Sequence, residues 1–168
     1  MRDYIKALGA LIVFLLLSCE GEDKNEQLTN SSFHAIKNGE EWITTSSWAR
    51  GSIESGSFIV VGEKKDPFYN QQENLYIVFK TAGLSLSNKV TDFASGWNYV
   101  SGGDMIIDSY QIDSTFNNFI EIDSIDTIKN RVVGTFKIRL IRDKYRSIIA
   151  DTFLFDNGFF ALKYEVRN

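Results

Sequence analysis

Alternation of apolar and polar residues with a period of two dominates the chain from Ser31 onward, and long helical periodicity is absent. Such alternation places successive side chains on opposite faces of a β-strand. Many short strands in series are typical of an antiparallel β-sandwich or an open barrel. The pattern therefore predicts a single all-β domain over residues 32–168.

The first hairpin is predicted at Asn38-Gly39, between the apolar segments 33–37 and 42–44. Asn-Gly is the strongest short hairpin signal, because both residues tolerate a positive φ. Glycines interrupt residues 82–104, which are expected to form long loops across one end of the domain, and residues 64–72 are expected to form a shorter loop. Further strands are predicted at segments 58–62, 75–79, 106–111 and 148–155.

The last third of the chain has the clearest strand pattern. Segments 119–125 and 132–141 alternate and are separated by turn residues. A three-residue turn would place Glu121 opposite Lys137, with apolar residues on one face and charges on the other. Residues 156–158, Asp-Asn-Gly, are expected to form a second tight turn before the final strand.

The N-terminal segment has a different pattern. Arg2 and Lys6 precede an apolar run that begins at Ala7 and ends before Ser18 and Cys19. The run is shorter than the roughly 20 apolar residues that a membrane span needs. A basic head, an apolar middle and a small residue before the cut predict a cleaved signal peptide over residues 1–18, with an uncleaved N-terminal helix as the alternative.

Residues 16–19, Leu-Leu-Ser-Cys, resemble the lipobox of bacterial lipoproteins. The resemblance implies that Cys19 is lipidated on sulfur and acylated at its new amino terminus, and that it anchors the mature chain to a membrane. Residues 19–31 are polar and acidic, which predicts a flexible tether. Acidic residues directly behind the cysteine resemble the surface-export signal of Bacteroidota lipoproteins. This implies an outer-membrane protein displayed on the cell surface, with a periplasmic location as the alternative.

Charge and cysteine content narrow the range of functions. The formal net charge is −4, so the chain lacks the basic surface that nucleic acid requires. Cys19 is the only cysteine, so no disulfide can form within the mature domain. The domain must be stabilised by packing, to which its 14% aromatic residues contribute large buried areas. No cofactor is expected.

Three short motifs resemble one family. Residues 33–39 followed by Trp42 resemble the opening F-x-A-x-x-N-G-x-x-W of small Bacteroidota lipoproteins of unknown function. Residues 133–136 and 156–160 resemble the G-T-F and D/N-G-x-F strand signatures of these proteins. The resemblance implies a β-sandwich over most of the mature chain, and it provides no catalytic residue.

Groups suited to catalysis are scarce. His34 is the only histidine, and alternation after the apolar Phe33 points it to solvent. Glu121, Asp123 and Asp126 could serve a hydrolase, because the first two share one face of a strand. A solvated charge ladder, with Lys137 and Arg139 on the same face, is the favoured interpretation.

Metal binding is not predicted. A zinc site normally needs several His or Cys ligands, which this chain does not offer. Asp104, Asp108 and Asp113 could contribute to a calcium site, but their spacing matches no established calcium loop.

Aromatic residues are the best binding candidates, and these are Trp48, Trp97, Tyr99 and Tyr110. Trp97 and Tyr99 fall in the predicted loop region, where aromatic rings can form a stacking platform. The alternative is that Trp97 fills one end of the core, as Trp42 is expected to do elsewhere.

The sequence as a whole predicts a non-catalytic binding or accessory domain that is held at the cell envelope. Its ligand would be a glycan, a peptide or an envelope protein. The alternatives are a structural subunit of an envelope complex and a carboxylate-dependent hydrolase.

Replacing Cys19 by Ala is expected to release the protein into the soluble fraction. The physical reason is that each buried CH₂ of an acyl chain contributes about 0.8 kcal/mol to membrane binding. Cell fractionation and immunoblotting measure the distribution, with Ser31→Ala as a control that keeps the cysteine. A Cys19→Ala protein that stays in the membrane fraction would show that the anchor lies elsewhere.

Overall fold

The structure is a computed structural model that describes residues 31–52, 54–81, 89–90, 92–102, 105–143 and 150–166. The predicted signal peptide, Cys19 and the tether up to residue 30 lie outside the described residues. Those that are described form strands, turns and loops without any helix, which confirms the predicted all-β class. Among them, no helix of the length and hydropathy needed to cross a membrane is found.

Eleven strands are present in the described part of the chain. They are β1 (Ser32–Lys37), β2 (Glu40–Ile43), β3 (Ser46–Ser52), β4 (Ser57–Lys65), β5 (Gln71–Lys80), β6 (Lys89–Val90), β7 (Phe93–Ser101), β8 (Met105–Ile112), β9 (Phe119–Asp126), β10 (Arg131–Arg142) and β11 (Thr152–Val166). All belong to one mostly antiparallel sheet with the order β2-β1-β11-β3-β4-β5-β7-β8-β10-β9-β6. An additional pairing between β10 and β11 closes part of this sheet into a ring.

Each of the two longest strands, β10 and β11, pairs with two further strands along one of its edges. The first part of β10 pairs with β9, and residues 140–142 pair with β8. In β11, residues 155–161 pair with β1, and residues 164–166 pair in parallel with β3. Because β10 and β11 also pair with each other, the sheet is closed where an open barrel would leave a gap.

One apolar core lies inside the sheet. Aromatic rings from strands that are not neighbours meet there. The ring centroids of Phe33 and Phe136 lie 5.4 Å apart, and those of Phe79 and Phe160 lie 6.3 Å apart. Trp42 is 1% exposed, which confirms its predicted core position. Facing parts of the sheet therefore pack in a sandwich-like arrangement.

The predicted first hairpin is confirmed. Asn38 and Gly39 have positive φ values of 51° and 89° and connect β1 to β2. The strands predicted at 58–62 and 75–79 lie within β4 and β5, and the loop between these strands is shorter than expected, at residues 66–70.

The long loops predicted for residues 82–104 are wrong over 93–101, which form β7. Gly96 suggested a loop, but it lies inside β7 and pairs with both β5 and β8. A Cβ at this position would collide with the hydroxyl of Tyr76 and the backbone oxygen of Tyr110. The glycine is required by close packing within the sheet and not by a turn.

The register predicted for the β9–β10 hairpin is wrong by two residues, although the assignment of faces is confirmed. Glu121 lies opposite Thr135 and not opposite Lys137. The turn comprises the four residues 127–130, and Asp123 is an extra residue in a bulge on β9. A shift of two residues leaves every side chain on its original face, so the isoleucines of β9 still face the core.

The tight turn predicted at residues 156–158 is also wrong, because these residues form a bulge inside β11. Residues 156 and 157 together oppose Lys137 of β10, whose Nζ donates to Asp156 Oδ2 at 2.9 Å. Asn157 supplies the positive φ of 47°. The chain continues in one direction because β1 and β10 hold β11 from both sides.

Replacing Gly158 by Ala is expected to lower the free energy of unfolding by about 1–3 kcal/mol, because the new Cβ would collide with the buried ring of Phe136. Urea denaturation measures the change. In a Phe136→Leu background the same substitution should cost much less, since the ring atoms are gone. An equal cost in both backgrounds would contradict the packing explanation.

Candidate functional site

The structure places two of the four aromatic candidates in the core. Trp97 and Tyr110 are each 1% exposed, and their rings meet edge to face with centroids 5.2 Å apart. Tyr99 is half-buried and stacks flat on Trp97, with centroids 6.0 Å apart. The expected loop position of Trp97 and Tyr99 is wrong, since both lie in β7. Ring faces packed against protein in this way are not available to stack on a ligand.

Trp48 is the aromatic candidate that is exposed, at 38%. It lies on β3, and its Nε1 donates a hydrogen bond to Glu63 Oε1 at 3.1 Å. The guanidinium of Arg50 lies 5.3 Å from the centroid of the indole. These contacts hold the ring in one orientation, so little rotamer entropy is lost when a ligand binds.

A groove of about 430 Å³ lies beside Trp48, and we call it the Trp48 groove. It combines the indole with apolar side chains, three serines and one cation. The lining residues are Trp48, Arg50, Gly51, Ser52, Ser55, Ser57, Phe58, Ile59 and Val78. Arg50 also forms an ion pair with Glu165, with Nε 3.1 Å from Oε2. The Arg50 side chain is 58% exposed. The groove can therefore offer a stacking surface and hydrogen-bonding groups to one ligand.

A second arrangement is centred on Glu73 of β5. Glu73 Oε2 accepts hydrogen bonds from Lys37 Nζ at 2.6 Å, Trp42 Nε1 at 2.8 Å and Trp97 Nε1 at 3.2 Å. One carboxylate oxygen is thus held by a cation and two indoles. We call Lys37, Trp42, Glu73, Trp97 and Phe153 the Glu73 cluster.

The ammonium of Lys37 lies between two aromatic rings of this cluster. Nζ is 4.3 Å from the centroid of Trp97 and 4.2 Å from that of Phe153. Burial lowers the pKa of Lys37, and the attraction and hydrogen bond of Glu73 oppose this only in part. A cavity of about 290 Å³ adjoins the pair, and its lining residues are Lys37, Asn38, Glu40, Glu41, Trp42, Lys64, Glu73 and Phe153.

The Glu73 cluster was not among the sequence predictions, although the sequence contains a signal for it. Lys37 follows Phe33 and Ala35 at every second position of β1, and Glu73 precedes Leu75 on the inward face of β5. Alternation therefore places both charges on inward faces. Whether the two side chains meet depends on how β1 and β5 are arranged around the core. The residue pattern of a single strand gives no information about that arrangement.

Two of the three carboxylates considered for calcium, Asp108 and Asp113, have protein partners. Asp113 accepts hydrogen bonds from Arg139 Nε at 2.7 Å and from the Thr115 hydroxyl at 2.7 Å. Asp108 is fully buried and accepts a backbone hydrogen bond at 3.1 Å. Asp104 lies outside the described residues. Within the described ranges, no group of three or more His, Cys, Asp or Glu side chains is arranged to hold a metal ion.

The carboxylates considered for hydrolysis lie along β9, where burial and then the charge of Glu121 raise the pKa of Asp123. Asp126 Oδ1 caps the β9–β10 turn by accepting hydrogen bonds from the amides of residues 128 and 129 at 2.9 and 2.8 Å. Asp123 is the bulge residue, and Glu121 lies beside Lys89 of β6. This arrangement does not bring the three carboxylates to a common partner.

The predicted charge ladder with Lys137 and Arg139 is also wrong. Lys137 pairs with Asp156 at 2.9 Å, and Arg139 pairs with Asp113 at 2.7 Å. Both partners come from outside β9, because the β9–β10 register differs from the predicted one. His34 is exposed, as predicted, and packs on Phe159.

Two neighbouring hairpin tips expose four large apolar side chains. Phe68 and Tyr69, between β4 and β5, are 89% and 66% exposed, and Met105 and Ile106, at the start of β8, are 64% and 44% exposed. The amide of Gly102 donates to a carbonyl of the β4–β5 loop at 2.8 Å and joins the two tips. We call Phe68, Tyr69, Met105 and Ile106 the hairpin-tip patch. Exposed apolar patches often mark contact surfaces.

Comparison with known proteins identified no relative. No protein-family model, no curated protein and no solved structure matches the chain significantly. The Trp48 groove, the Glu73 cluster and the hairpin-tip patch are therefore the features from which a function can be proposed.

Asp113 is expected to stabilise the domain less as the pH falls. Hydrogen bonds from Thr115, together with Arg139, hold the pKa of Asp113 below its ordinary value. A carboxyl whose pKa is lower in the folded state stabilises the fold above its ordinary pKa of about 4. That contribution is lost as the pH falls through the folded-state pKa.

Asp113→Asn should therefore lower the free energy of unfolding at neutral pH, and its difference from the wild type should shrink at acidic pH. Urea denaturation over a pH series measures both proteins. Asp151→Asn is the control, because this carboxylate is 91% exposed in its pair with Arg142 and should contribute under about 1 kcal/mol. A difference for Asp113→Asn that is the same at every pH would count against the ionic explanation.

Proposed function

We propose that this chain is a cell-envelope lipoprotein whose β domain is a non-catalytic binding module, and that it binds a glycan in the Trp48 groove. The observation that carries the proposal is an exposed indole, fixed by Glu63 and Arg50, beside a groove with three serines. An aromatic ring with a polar handle suits ligands that have both an apolar face and hydroxyl groups. Sugar rings have both.

The position of the groove favours a glycan over a peptide. Peptides commonly bind sheet proteins by adding a strand to a free edge. β3 lies between β11 and β4, so its backbone already has partners along the groove. Recognition there must use side chains, which is suited to a stacked and hydrogen-bonded sugar ring.

The size of the groove limits the ligand. Its volume of about 430 Å³ lies near the lower end of the usual range for small-molecule sites, about 300–1,000 Å³. A short stretch of a glycan chain fits this volume. Neighbouring sugar residues would then extend over the exposed surface around Arg50.

Anchoring at the outer membrane, with display on the cell surface, is part of the same proposal. It is supported by the lipobox-like residues that end at Cys19, by the acidic residues behind it and by the resemblance to small Bacteroidota lipoproteins. Surface display would give the groove access to external glycans. A periplasmic location would instead limit the ligand to envelope components.

A second candidate function is assembly with an envelope protein, and the hairpin-tip patch favours it. Phe68 and Tyr69 are exposed although their amides are held by Asp66 Oδ1 at 2.8 and 3.1 Å. An ordered tip with exposed aromatic rings is suited to a protein partner. Crosslinking in intact cells that yields a stoichiometric partner would favour this candidate.

Replacing Trp48 by Ala should weaken glycan binding by about tenfold or more, a loss of about 1.4 kcal/mol, because the stacking surface is removed. A glycan array screen of the soluble Cys19→Ala protein identifies the ligand, and titration calorimetry measures the affinity. Trp48→Phe should retain most of the affinity, since it keeps a ring.

Phe68→Ala is the matched control for this experiment, because it removes an exposed aromatic ring outside the groove. It should leave glycan affinity unchanged. Equal affinities for the wild type and Trp48→Ala, or no glycan ligand at all, would contradict the proposal.

A further inference from the structure

Lys37 and Glu73 form a mostly buried ion pair beside a cavity. Their side chains are 17% and 22% exposed, and Nζ lies 2.6 Å from Oε2. Removing two charges from water is costly, and apolar replacements of such pairs are often equally or more stable. A desolvated charged pair beside a cavity is therefore a candidate for chemistry.

The pair has the arrangement of a nucleophile beside a base. An amine becomes nucleophilic when it loses a proton, and Glu73 Oε2 is within reach to accept that proton. The indoles of Trp42 and Trp97 donate to the same oxygen at 2.8 and 3.2 Å and hold the carboxylate in place. Burial favours the neutral amine, because it lowers the pKa of Lys37.

The cavity that adjoins the pair is large enough for a small molecule. It has a volume of about 290 Å³, and Lys37 and Glu73 form part of its wall. Lys64, Glu40 and Glu41 line the same cavity, so its wall carries charged groups of both signs beside the pair. A compact molecule with a carbonyl group fits this volume.

We propose that Lys37 is a reactive amine that forms a covalent imine with a small aldehyde or ketone, and that Glu73 carries the protons. Nζ gives a proton to Glu73, and its lone pair attacks the carbonyl carbon. Glu73 returns the proton to the former carbonyl oxygen, which yields a carbinolamine. A second proton then moves from nitrogen to oxygen by the same route, water leaves, and a protonated imine remains.

The aromatic rings of the Glu73 cluster can stabilise this product as well as they stabilise the ammonium of the free lysine. The protonated imine carries one positive charge at nitrogen, as the ammonium does. Trp97 and Phe153, with centroids 4.3 and 4.2 Å from Nζ, can stabilise either cation. The reaction conserves the charge next to Glu73, so no unpaired carboxylate is left in the buried site.

This site is independent of the proposed glycan binding. The residues that line the Trp48 groove and those of the Glu73 cluster have no member in common. Failure of one proposal therefore leaves the other unaffected.

Reductive trapping tests the proposal. The mature wild-type protein is incubated with acetaldehyde and cyanoborohydride at about pH 7, where an ordinary lysine with a pKa of about 10.4 is almost fully protonated. Peptide mass spectrometry then gives the rate of modification at each lysine. Lys37 should be modified at least about tenfold faster than the exposed Lys163. A rate at Lys37 no greater than that at Lys163 would overturn the proposal.

The pH profile of Glu73→Gln tests the part played by the carboxylate. Without its counter-charge, Lys37 should reach its maximal rate of modification at a lower pH. That maximal rate should nevertheless fall by about tenfold or more, because the proton carrier is lost. Glu54→Gln, a change at an exposed carboxylate that does not line this cavity, should retain both the midpoint and the maximum. An unchanged maximal rate in Glu73→Gln would overturn the role of Glu73.

Discussion

The pairing of β10 with β11 is the constraint on which the rest of the structure depends. These strands are 12 and 15 residues long, so each can pair with two further strands along its other edge. Pairing them with each other brings the sheet around one core. The bulge at residues 156–158 keeps β11 paired on both sides while the ring of Phe136 lies against Gly158.

The ends of the strand order, β2 and β6, are only four and two residues long, and short edges offer little surface for another sheet to join.

Closure of the sheet also determines what happens to charged side chains on inward faces. Lys37 and Glu73 are 36 residues apart in the chain, and they meet at one end of the core. The indoles of Trp42 and Trp97 satisfy the carboxylate, while the rings of Trp97 and Phe153 contact the ammonium. A lysine can occupy such a position because its charged end lies over two aromatic rings and beside a carboxylate.

The outer surface has two features that are well separated from each other. Ser57 lines the Trp48 groove at one end of β4, and Lys65 adjoins the hairpin tips at the other end. At about 3.3 Å per residue, the nine-residue strand spans about 26 Å between these positions. Binding in the groove and contact through the hairpin-tip patch therefore use different parts of the domain. The rigid sheet fixes the distance between them.

The sequence alone determined the all-β class, the hairpin at Asn38-Gly39 and the face on which each alternating residue lies, because these depend on neighbours along the chain. The same reasoning was wrong at Gly96 and at residues 156–158, where glycine was taken as the sign of a loop or turn. These glycines lie inside strands, because a Cβ there would collide with an aromatic side chain of a neighbouring strand. The tertiary structure alone decided the β9–β10 register, the burial of Trp97 and the meeting of Lys37 with Glu73. Each of these depends on which distant strands pair and which rings fill the space between them. Alternation within one strand gives no information about either.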